Sequence, residues 1–368
     1  MNTTQQQQHI NNSWAWFNQM GSPRHWLAPM VGASEPAFRI LCRRYNVNIA
    51  STEMVDSGGY AFNAKYRKQF HIQNKSNNVI DRPLIVQLGG ANPIHLKKAA
   101  LAAVPYADAI ELNIGCPQQC AKKGKYGAFM MDRPDELINT VQMLAQTLEG
   151  TGVPLLCKIR CYKDTNETVE LAKRLEKVGC TCLSIHGRTK EDATKGTPNI
   201  SKPLADWSKI KAVKLALNIP VIGNGNIRCK ADADAMLKEC NVDGVMSGIG
   251  LLRDPALFAK ENEDGDRRNQ QNEDDRRIEL ALEYLDICNT YPTYHVCLSK
   301  HLQKILSSVV LTKHPQINTL LIQFAAWNKS KGGRLLTDTG VIVKELRRIL
   351  GSVDVSKKQV FDLLNRNL

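Results

Sequence analysis

The sequence has no apolar run that approaches the roughly 18–20 residues of a membrane-spanning helix. Its first residues, MNTTQQQQHINN, also lack the apolar core of a secretory signal. These two absences predict a protein without a membrane span and without a secretory leader. Because the beginning of the chain is so polar, residues 1–20 are expected to form a disordered tail.

The cysteine spacing of a zinc site is absent as well. The sequence has 11 cysteines, an odd number, and they are scattered, with the shortest spacings at Cys180/Cys182 and Cys116/Cys120. No paired C-x2-C sets occur, and no histidine pair accompanies the cysteines. The pattern predicts no metal site. It indicates reduced thiols in an intracellular protein, either cytoplasmic or nuclear.

A further absence concerns the fold. Open doubly wound sheets carry G-x-G-x-x-G after the first strand, and LAPMVGASEPAF does not contain it. Eight short apolar runs occur instead, with helical patterns such as 135–149 and 166–179 between them. Runs that are apolar throughout are typical of parallel strands covered on both faces. They predict an α/β chain folded as a (β/α)8 TIM barrel over residues 21–260. The expected strands are 25–30, 48–54, 84–90, 109–115, 154–160, 182–188, 220–226 and 244–250.

The pattern changes beyond the barrel. Residues 261–277 are a mixed charge run that predicts a linker, and residues 278–368 are predicted to form a small helical bundle. From residue 291 to the end there are 12 Lys and Arg but 4 Asp and Glu, so about +8 of the net charge of +13 lies there. This surplus indicates a polyanionic partner. The apolar-periodic segments of the bundle are 278–290, 294–311, 316–328, 338–350 and 357–366.

The fourth strand exit carries the most reactive group of the predicted barrel. Cys116 follows the apolar run AIELNI directly, between Gly115, which lets the chain turn, and Pro117, which restricts the backbone. A free thiol has a pKa of about 8.5, so at neutral pH it holds a proton that it can donate. We interpret Cys116 as a general acid whose thiolate would be favoured by the basic loop that follows. The lysines of that loop are Lys122, Lys123 and Lys125.

Glycine-containing exits follow the seventh and eighth predicted strands, as GNGN and SGIG. In TIM barrels the loops at these two strands commonly bind phosphate through backbone N–H groups. The two exits together predict a cofactor that bears a phosphate. The residues concerned are Asn224, Gly225, Asn226, Gly248, Ile249 and Gly250.

Three further exits offer polar side chains. Lys158 could form a Schiff base, as in an aldolase, or place a positive charge beside an electron-rich ring. His186 could donate a hydrogen bond to the same ligand. Gln87 has a paired donor and acceptor that suit the edge of a pyrimidine-like ring. With the phosphate loops, these side chains favour FMN over a sugar phosphate, since a sugar has no flat edge to occupy Gln87.

Short motifs occur along the barrel in a fixed order: LAPM, VQLGG, LNIGCPQQCAKKGKYGAFMM, CKIR, HGRT, NGNI and VMSGIGLLRDPALF. Together they resemble the flavin-dependent tRNA-dihydrouridine synthases, over about residues 22–260. The AKKGKYGAF form is most similar to the eukaryotic branch that acts on uridines 16 and 17 of the tRNA D-loop. The resemblance therefore predicts an enzyme with tRNA as its partner. We also expect the chain to be a monomer.

The resemblance also implies roles for individual residues. Flavin reduced by NADPH or NADH would deliver hydride to C6 of uracil while Cys116 protonates C5, and Asn113 would bind the uracil edge. Arg160 and Arg188 are expected substrate contacts, and the lysine loop and basic bundle would bind tRNA phosphates, offsetting the cost of turning the base out of its stack. FMN would be held by Pro29, Met30, Val31, Gln87, Lys158, His186, Asn224, Gly225, Asn226, Gly248, Ile249 and Gly250.

One residue departs from the family pattern, and three other functions stay open. Many relatives carry arginine or glutamate where Ile249 stands, so phosphate binding there must depend on backbone N–H groups. The first alternative is an FMN barrel that acts on a free small molecule. The second is a non-catalytic RNA-binding protein with a vestigial barrel. The third is an aldolase that forms a Schiff base on Lys158.

Overall fold

The fold is described from a computed structural model, which covers residues 2–74, 79–194, 203–260, 273–291, 293–313 and 315. The chain divides into two compact units. The first comprises Met1–Val31 and Val47–Gly248, and the second comprises Gly32–Asn46 and Ile249–Leu368. The predicted boundary at residue 260 is therefore wrong in two places, because residues 32–46 and 249–260 belong with the C-terminal helices.

The first unit is a closed parallel barrel. Its strands are β1 (His25–Leu27), β2 (Ile49–Ser51), β3 (Val55–Asp56), β4 (Leu84–Gly89), β5 (Ala109–Ile114), β6 (Leu155–Arg160), β7 (Cys182–His186), β8 (Val221–Asn224) and β9 (Gly244–Ser247). Eight of them pair in the order β1-β2-β4-β5-β6-β7-β8-β9, and β9 pairs again with β1. The remaining strand, β3, has two residues and pairs beside β4. The structure confirms the predicted TIM barrel and all eight predicted strands.

The barrel strands carry an apolar layer near their beginnings and a polar layer beyond it. A buried cluster joins Ile85 of β4, Ala109 of β5 and Leu156 of β6 with equivalent residues of the other strands. Because side chains of a strand alternate between its two faces, the residues two positions later point to the same side. Those positions are polar in most strands, and the polar residues are Ser51, Gln87, Glu111, Lys158, Ser184 and Asn224.

Helices follow the strands, and several begin at a side-chain cap. Asn92, Asp164 and Asp206 each accept a backbone N–H from the first turn of their helix, which satisfies donors that the helix itself cannot. The predicted helices at 135–149 and 166–179 are confirmed. The helices are α1 (Thr3–Gln19), α2 (Pro36–Arg44), α3 (Ser57–Phe62), α4 (Ala64–Asn74), α5 (Pro93–Ala103), α6 (Gln119–Lys123), α7 (Pro134–Leu148), α8 (Thr165–Lys177), α9 (Lys190–Thr194), α10 (Trp207–Ala216), α11 (Lys230–Cys240), α12 (Ile249–Arg253), α13 (Glu273–Thr290) and α14 (His295–Lys313).

The N-terminal segment is an ordered helix, so the prediction of a disordered tail is wrong. α1 begins with a capping box, in which Asn2 and Gln5 each accept the other's backbone N–H at 2.9 Å. Near its end, Trp16 and Phe17 are buried in the apolar cluster of the barrel, and the Trp16 indole donates to the Asp108 carbonyl at 3.1 Å. Burial of these rings outweighs the polarity of the preceding glutamines.

In the second unit, α2 packs with the C-terminal helices. The ring of Phe38 stacks on that of the fully buried His301, with ring centroids 4.0 Å apart. Glu35 accepts the Tyr284 hydroxyl at 2.6 Å and lies 3.0 Å from the His301 imidazole. These contacts explain why residues 32–46 group with this unit.

The C-terminal predictions are confirmed only in part. The helices expected at 278–290 and 294–311 are present as α13 and α14, and α14 is interrupted at Ser307, where φ is +61°. Residues 273–277 belong to α13, so the end of the predicted linker is wrong. The segments at 316–328, 338–350 and 357–366 lie outside the described residues. Among the described helices, none has the length and apolar character to cross a membrane.

Candidate active site

Lys158 and Asn224 join two strands across the polar layer. The Lys158 Nζ donates to the Asn224 Oδ1 at 3.1 Å, and the Asn224 Nδ2 donates to the Met246 carbonyl at 2.7 Å. Burial lowers the pKa of Lys158 to about 8, the charge of Glu111 opposes this shift, and Arg160 adds to it. At neutral pH the amine is therefore still mostly charged, but it is poised to lose its proton more easily than an exposed lysine.

Glu111 is a functional candidate that the sequence reasoning missed. It is fully buried in β5, and burial raises its pKa to about 7, although the charge of Lys158 opposes the rise. The Gln87 Nε2 donates to its Oε1 at 2.7 Å. The available signal was the one acid in the otherwise mostly apolar run AIELNI, since a carboxyl group in a covered strand needs a partner.

Two cations, Arg160 and Arg188, lie beside His186 at the ends of β6 and β7. The Arg160 Nε donates to the Gly115 carbonyl at 2.6 Å, and its guanidinium lies 3.2 Å from the His186 Nδ1. Burial lowers the pKa of Arg160 to about 10, and the charge of Arg188 adds to this. Burial and the neighbouring cations hold the pKa of His186 well below its usual value, so its imidazole is neutral at pH 7.

Cys116 lies two residues beyond β5, at the loop that Arg160 supports. Its N–H donates to the Asn113 Oδ1 at 2.9 Å, and its carbonyl accepts the Ala128 N–H at 3.0 Å. Burial raises the pKa of the thiol, so the group is protonated at neutral pH, as an acid must be. The cation that opposes this rise is Arg160. Lys122, Lys123 and Lys125 are exposed to solvent, and their effect on the thiol stays a prediction.

Gln87 and Asn113 have partners inside the protein. Besides its bond to Glu111, Gln87 accepts the Asn113 Nδ2 at 2.8 Å, and its side chain is almost completely buried. The Asn113 Oδ1 accepts the N–H groups of Gly115 and Cys116. Each amide donates one of its two N–H groups to these partners, and the contacts of Gln87 with flavin and of Asn113 with uracil stay predictions.

The loop after β8 is covered by residues 205–207, which sequence reasoning did not identify as part of the site. The Trp207 indole donates to the Gly225 carbonyl at 3.1 Å, and the Arg188 guanidinium donates to the Asn226 Oδ1 at 2.6 Å. Gly225 has φ of +119°, and a Cβ there would lie 2.6 Å from the Cβ of Ala205. Only glycine fits at this position.

The remaining predicted cofactor residues lie at the ends of β1 and β9. A Cβ added to Gly248 would lie 3.2 Å from the Met30 Sδ, so these two exits are in close contact. Pro29 is half-buried and Val31 is 57% exposed. In the second unit, Ile249 and Gly250 begin α12, with Ile249 exposed and Gly250 buried.

Gly127 allows the Cys116 loop to close. Its φ is +64°, and an added Cβ would lie 2.6 Å from the Cys116 carbonyl oxygen. Left-handed strain alone would cost alanine about 1–2 kcal/mol at this position. We expect Gly127→Ala to lower the free energy of unfolding by more than this amount, because the clash with the Cys116 carbonyl adds to the strain. The matched control is Gly150→Ala, where φ is +77° and no atom lies within 4 Å. Urea denaturation measures both variants. Equal losses of unfolding free energy would contradict the close contact between Gly127 and the Cys116 carbonyl.

The chemistry of this polar group of residues fits an anionic, flat ligand. Three cations, Lys158, Arg160 and Arg188, have pKa values lowered first by burial. A negatively charged ligand beside them would relieve that cost. Neutral His186 and the buried amides offer hydrogen bonds to a ring edge.

Comparison with known proteins identifies the family. A family model for dihydrouridine synthase (Dus) matches residues 26–321. The chain belongs to the dihydrouridine synthase family. The match extends over the barrel from the second residue of β1 and includes all of α13 and α14.

Individual proteins that resemble this chain carry the name of the same family. The chain is 41% identical over 292 residues to a tRNA-dihydrouridine(16/17) synthase-like protein of Rattus norvegicus, a match that covers 79% of this chain and 61% of the rat protein. It therefore spans about three fifths of that relative's length. It is 30% identical to a tRNA-dihydrouridine(20a/20b) synthase-like protein of Homo sapiens, covering 81% of this chain and 87% of that protein.

A solved structure supports the fold. Histamine dehydrogenase from Rhizobium sp. 4-9 matches with a TM-score of 0.50 at 12% identity, covering 72% of this chain and 49% of that chain. At this identity the likeness concerns the fold alone, and it agrees with the closed parallel barrel of this dihydrouridine synthase family member.

Proposed function

We propose that the chain reduces the C5=C6 bond of uridine in the D-loop of tRNA, forming 5,6-dihydrouridine. The observation that carries the proposal is the Cys116 thiol, kept protonated by burial on a loop at the end of β5. The Asn113 side chain and the Arg160 guanidinium both hold that loop. A neutral thiol beside a cationic, hydrogen-bonding site is suited to protonate a substrate that becomes negatively charged.

FMN is the proposed cofactor, with NADPH or NADH as the reductant. Lys158 and His186 would lie against the ring, together with Pro29, Met30, Val31 and Gln87. Asn224, Gly225, Asn226, Gly248, Ile249 and Gly250 would hold the phosphate. When bound and reduced, FMN supplies the hydride that goes to C6 of the uracil. The cations with lowered pKa values support this assignment, because they lie where an anionic ligand would be stabilised.

The protein's own residues complete the reaction. The Cys116 S–H bond breaks as its proton goes to C5 of the uracil, and the resulting thiolate takes a proton from water. One hydride and one proton thus saturate the double bond, and NAD(P)H is oxidised to NAD(P)⁺. Arg160 lowers the pKa of Cys116 against the effect of burial, which stabilises the thiolate formed in this step. Asn113 and Arg188 are the proposed contacts to the base.

Positions 16 and 17 are the proposed targets. Identity to the rat 16/17 synthase-like protein is 41%, and identity to the human 20a/20b synthase-like protein is 30%. The higher identity to the 16/17 synthase-like protein supports this assignment. The orientation of tRNA on the protein would decide which uridine reaches Cys116. Action on tRNA agrees with residence in the cytoplasm or nucleus.

The exposed lysines of the Cys116 loop are the proposed phosphate contacts. We expect the triple change of Lys122, Lys123 and Lys125 to alanine to weaken tRNA binding and to reduce the slope of log K against log salt by about 2–3. The control is the triple change of Lys173, Lys177 and Lys211, which are exposed on α8 and α10. Binding measured at several salt concentrations tests this, and equal slopes for both triples would remove the lysine loop from the interface.

Mapping dihydrouridine in tRNA from cells that lack the protein tests the function itself. We expect loss at positions 16 and 17, restored by the wild-type chain and not by Cys116→Ala. Unchanged tRNA in the deletion strain would overturn the proposal. Turnover of free uridine or orotate without RNA would favour the small-molecule oxidoreductase, and purified protein that binds tRNA but no flavin would favour the non-catalytic binder.

A further inference from the structure

A hydrogen-bonded chain joins Glu111, inside the barrel, to the backbone of Cys116. The Gln87 Nε2 donates to the Glu111 Oε1 at 2.7 Å, and the Asn113 Nδ2 donates to the Gln87 Oε1 at 2.8 Å. The Asn113 Oδ1 then accepts the N–H groups of Gly115 at 3.0 Å and Cys116 at 2.9 Å. The chain runs from the middle of β5 through β4 to the loop of the proposed acid.

The donors and acceptors in this series of hydrogen bonds are fixed by the groups at its two ends. Backbone N–H groups can only donate, so Asn113 must turn its oxygen to the loop and its Nδ2 to Gln87. Gln87 must then accept with its oxygen and direct its Nε2 to position 111. An oxygen of Glu111 accepts this Nε2–H, and it can do so whether or not the carboxyl group is protonated. A side chain without an acceptor at position 111 would leave a buried N–H of Gln87 without its present partner.

The three side chains are shielded from water. Gln87 is 1% exposed, Glu111 is fully buried and Asn113 is 8% exposed. In such an interior an unpaired polar group is costly, and water does not readily replace a lost partner. Loss of the Glu111 acceptor would leave the Gln87 Nε2 without that bond, so the Gln87 side chain would shift toward another acceptor. That shift would strain or break the bond between Gln87 and Asn113, which orients Asn113.

We propose that Glu111 is a positioning residue for the Cys116 loop, acting through Gln87 and Asn113. It holds the backbone of Gly115 and Cys116 so that the thiol is directed to its substrate. The consequence for uridine reduction rests on the proposed function. The consequence for loop geometry can be measured without flavin, reductant or tRNA.

The test compares Glu111→Leu with Glu111→Gln. Leucine has no acceptor, whereas the glutamine oxygen can still accept the Gln87 N–H. The measurement is the rate at which iodoacetamide alkylates Cys116, followed peptide by peptide, with exposed Cys229 as the internal reference. We expect Glu111→Leu to change the Cys116 rate by about tenfold and Glu111→Gln to restore most of the wild-type rate, since displacement of a reacting group by about 1 Å can cost up to about a hundredfold. The Cys229 rate should be the same in all three proteins.

Equal Cys116 rates in the wild type and a folded Glu111→Leu would overturn the inference. If that variant does not fold, Gln87→Met removes the same link from the other side and should give the same change in rate. In turnover assays we expect Glu111→Leu to lower kcat while the KM for tRNA stays unchanged. Wild-type protein that reduces no uridine would refute the proposed function alone, and normal reduction with unchanged alkylation would refute the positioning role alone.

Discussion

Cys116→Ala should lower kcat for uridine reduction by about 10²–10⁴-fold, the contribution of a positioned general acid. The thiol is the proton donor on the loop that Asn113 and Arg160 support, and alanine provides no proton there. Single-turnover assays with reduced enzyme and unmodified tRNA measure the step directly. The matched control is Cys120→Ala, because Cys120 is an exposed cysteine in α6, four residues further along the chain. A Cys116→Ala variant as fast as the control would remove the thiol from the mechanism.

The pH profile of the wild type provides a second measurement of the same acid. Burial raises the pKa of Cys116, so the proton-donating form is fully present at neutral pH and is lost as the pH rises through that pKa. We expect the titration of Cys116 to leave kcat constant through neutral pH and to lower kcat on the alkaline side. A fall that begins below pH 7 and is absent in the Cys116→Ser variant would contradict the raised pKa.

Trp16→Ala should lower the free energy of unfolding by about 3–5 kcal/mol, the usual loss for a large buried ring. Trp16 is 7% exposed and packs with Phe17 against residues that begin the barrel strands, including Trp26 and Ile85. Removal of the indole would leave a cavity there and would also remove the donor to the Asp108 carbonyl. Urea denaturation followed by circular dichroism measures the loss.

Two variants separate the contributions in this test. Trp16→Phe keeps an aromatic ring and loses the hydrogen bond, so we expect a smaller loss of about 1 kcal/mol. Gln7→Ala changes an exposed residue of the same helix and should leave stability nearly unchanged. If Trp16→Ala has no larger effect than Gln7→Ala, α1 does not stabilise the barrel.

The barrel itself could be predicted because its signal is local. Each strand is a short apolar run, and the helices between them show apolar residues at three- and four-residue steps. The predicted strands extended too far at their carboxyl ends, as with 182–188 against Cys182–His186. Residues there leave the ladder to form the loops of the site, and the local sequence does not mark where the ladder ends.

The cation beside Cys116 shows what local reasoning missed within the site. Lys122, Lys123 and Lys125 are close to Cys116 in sequence, so their charges were expected to act on the thiol. In the structure their side chains are exposed, and the cation that acts on the thiol is Arg160, 44 residues further along the chain. Proximity in sequence does not fix the direction of a side chain once the loop turns.

By itself, the sequence determined the strand order of the barrel, the place of Cys116 at a strand exit and the family motifs around it. Only the tertiary structure decided that α1 packs on the barrel, that residues 32–46 join the C-terminal helices, and that Glu111 is linked to the Cys116 loop. The physical reason is the range of the interactions. Apolar periodicity acts between near neighbours, whereas burial and hydrogen bonding here join residues that are far apart in the chain.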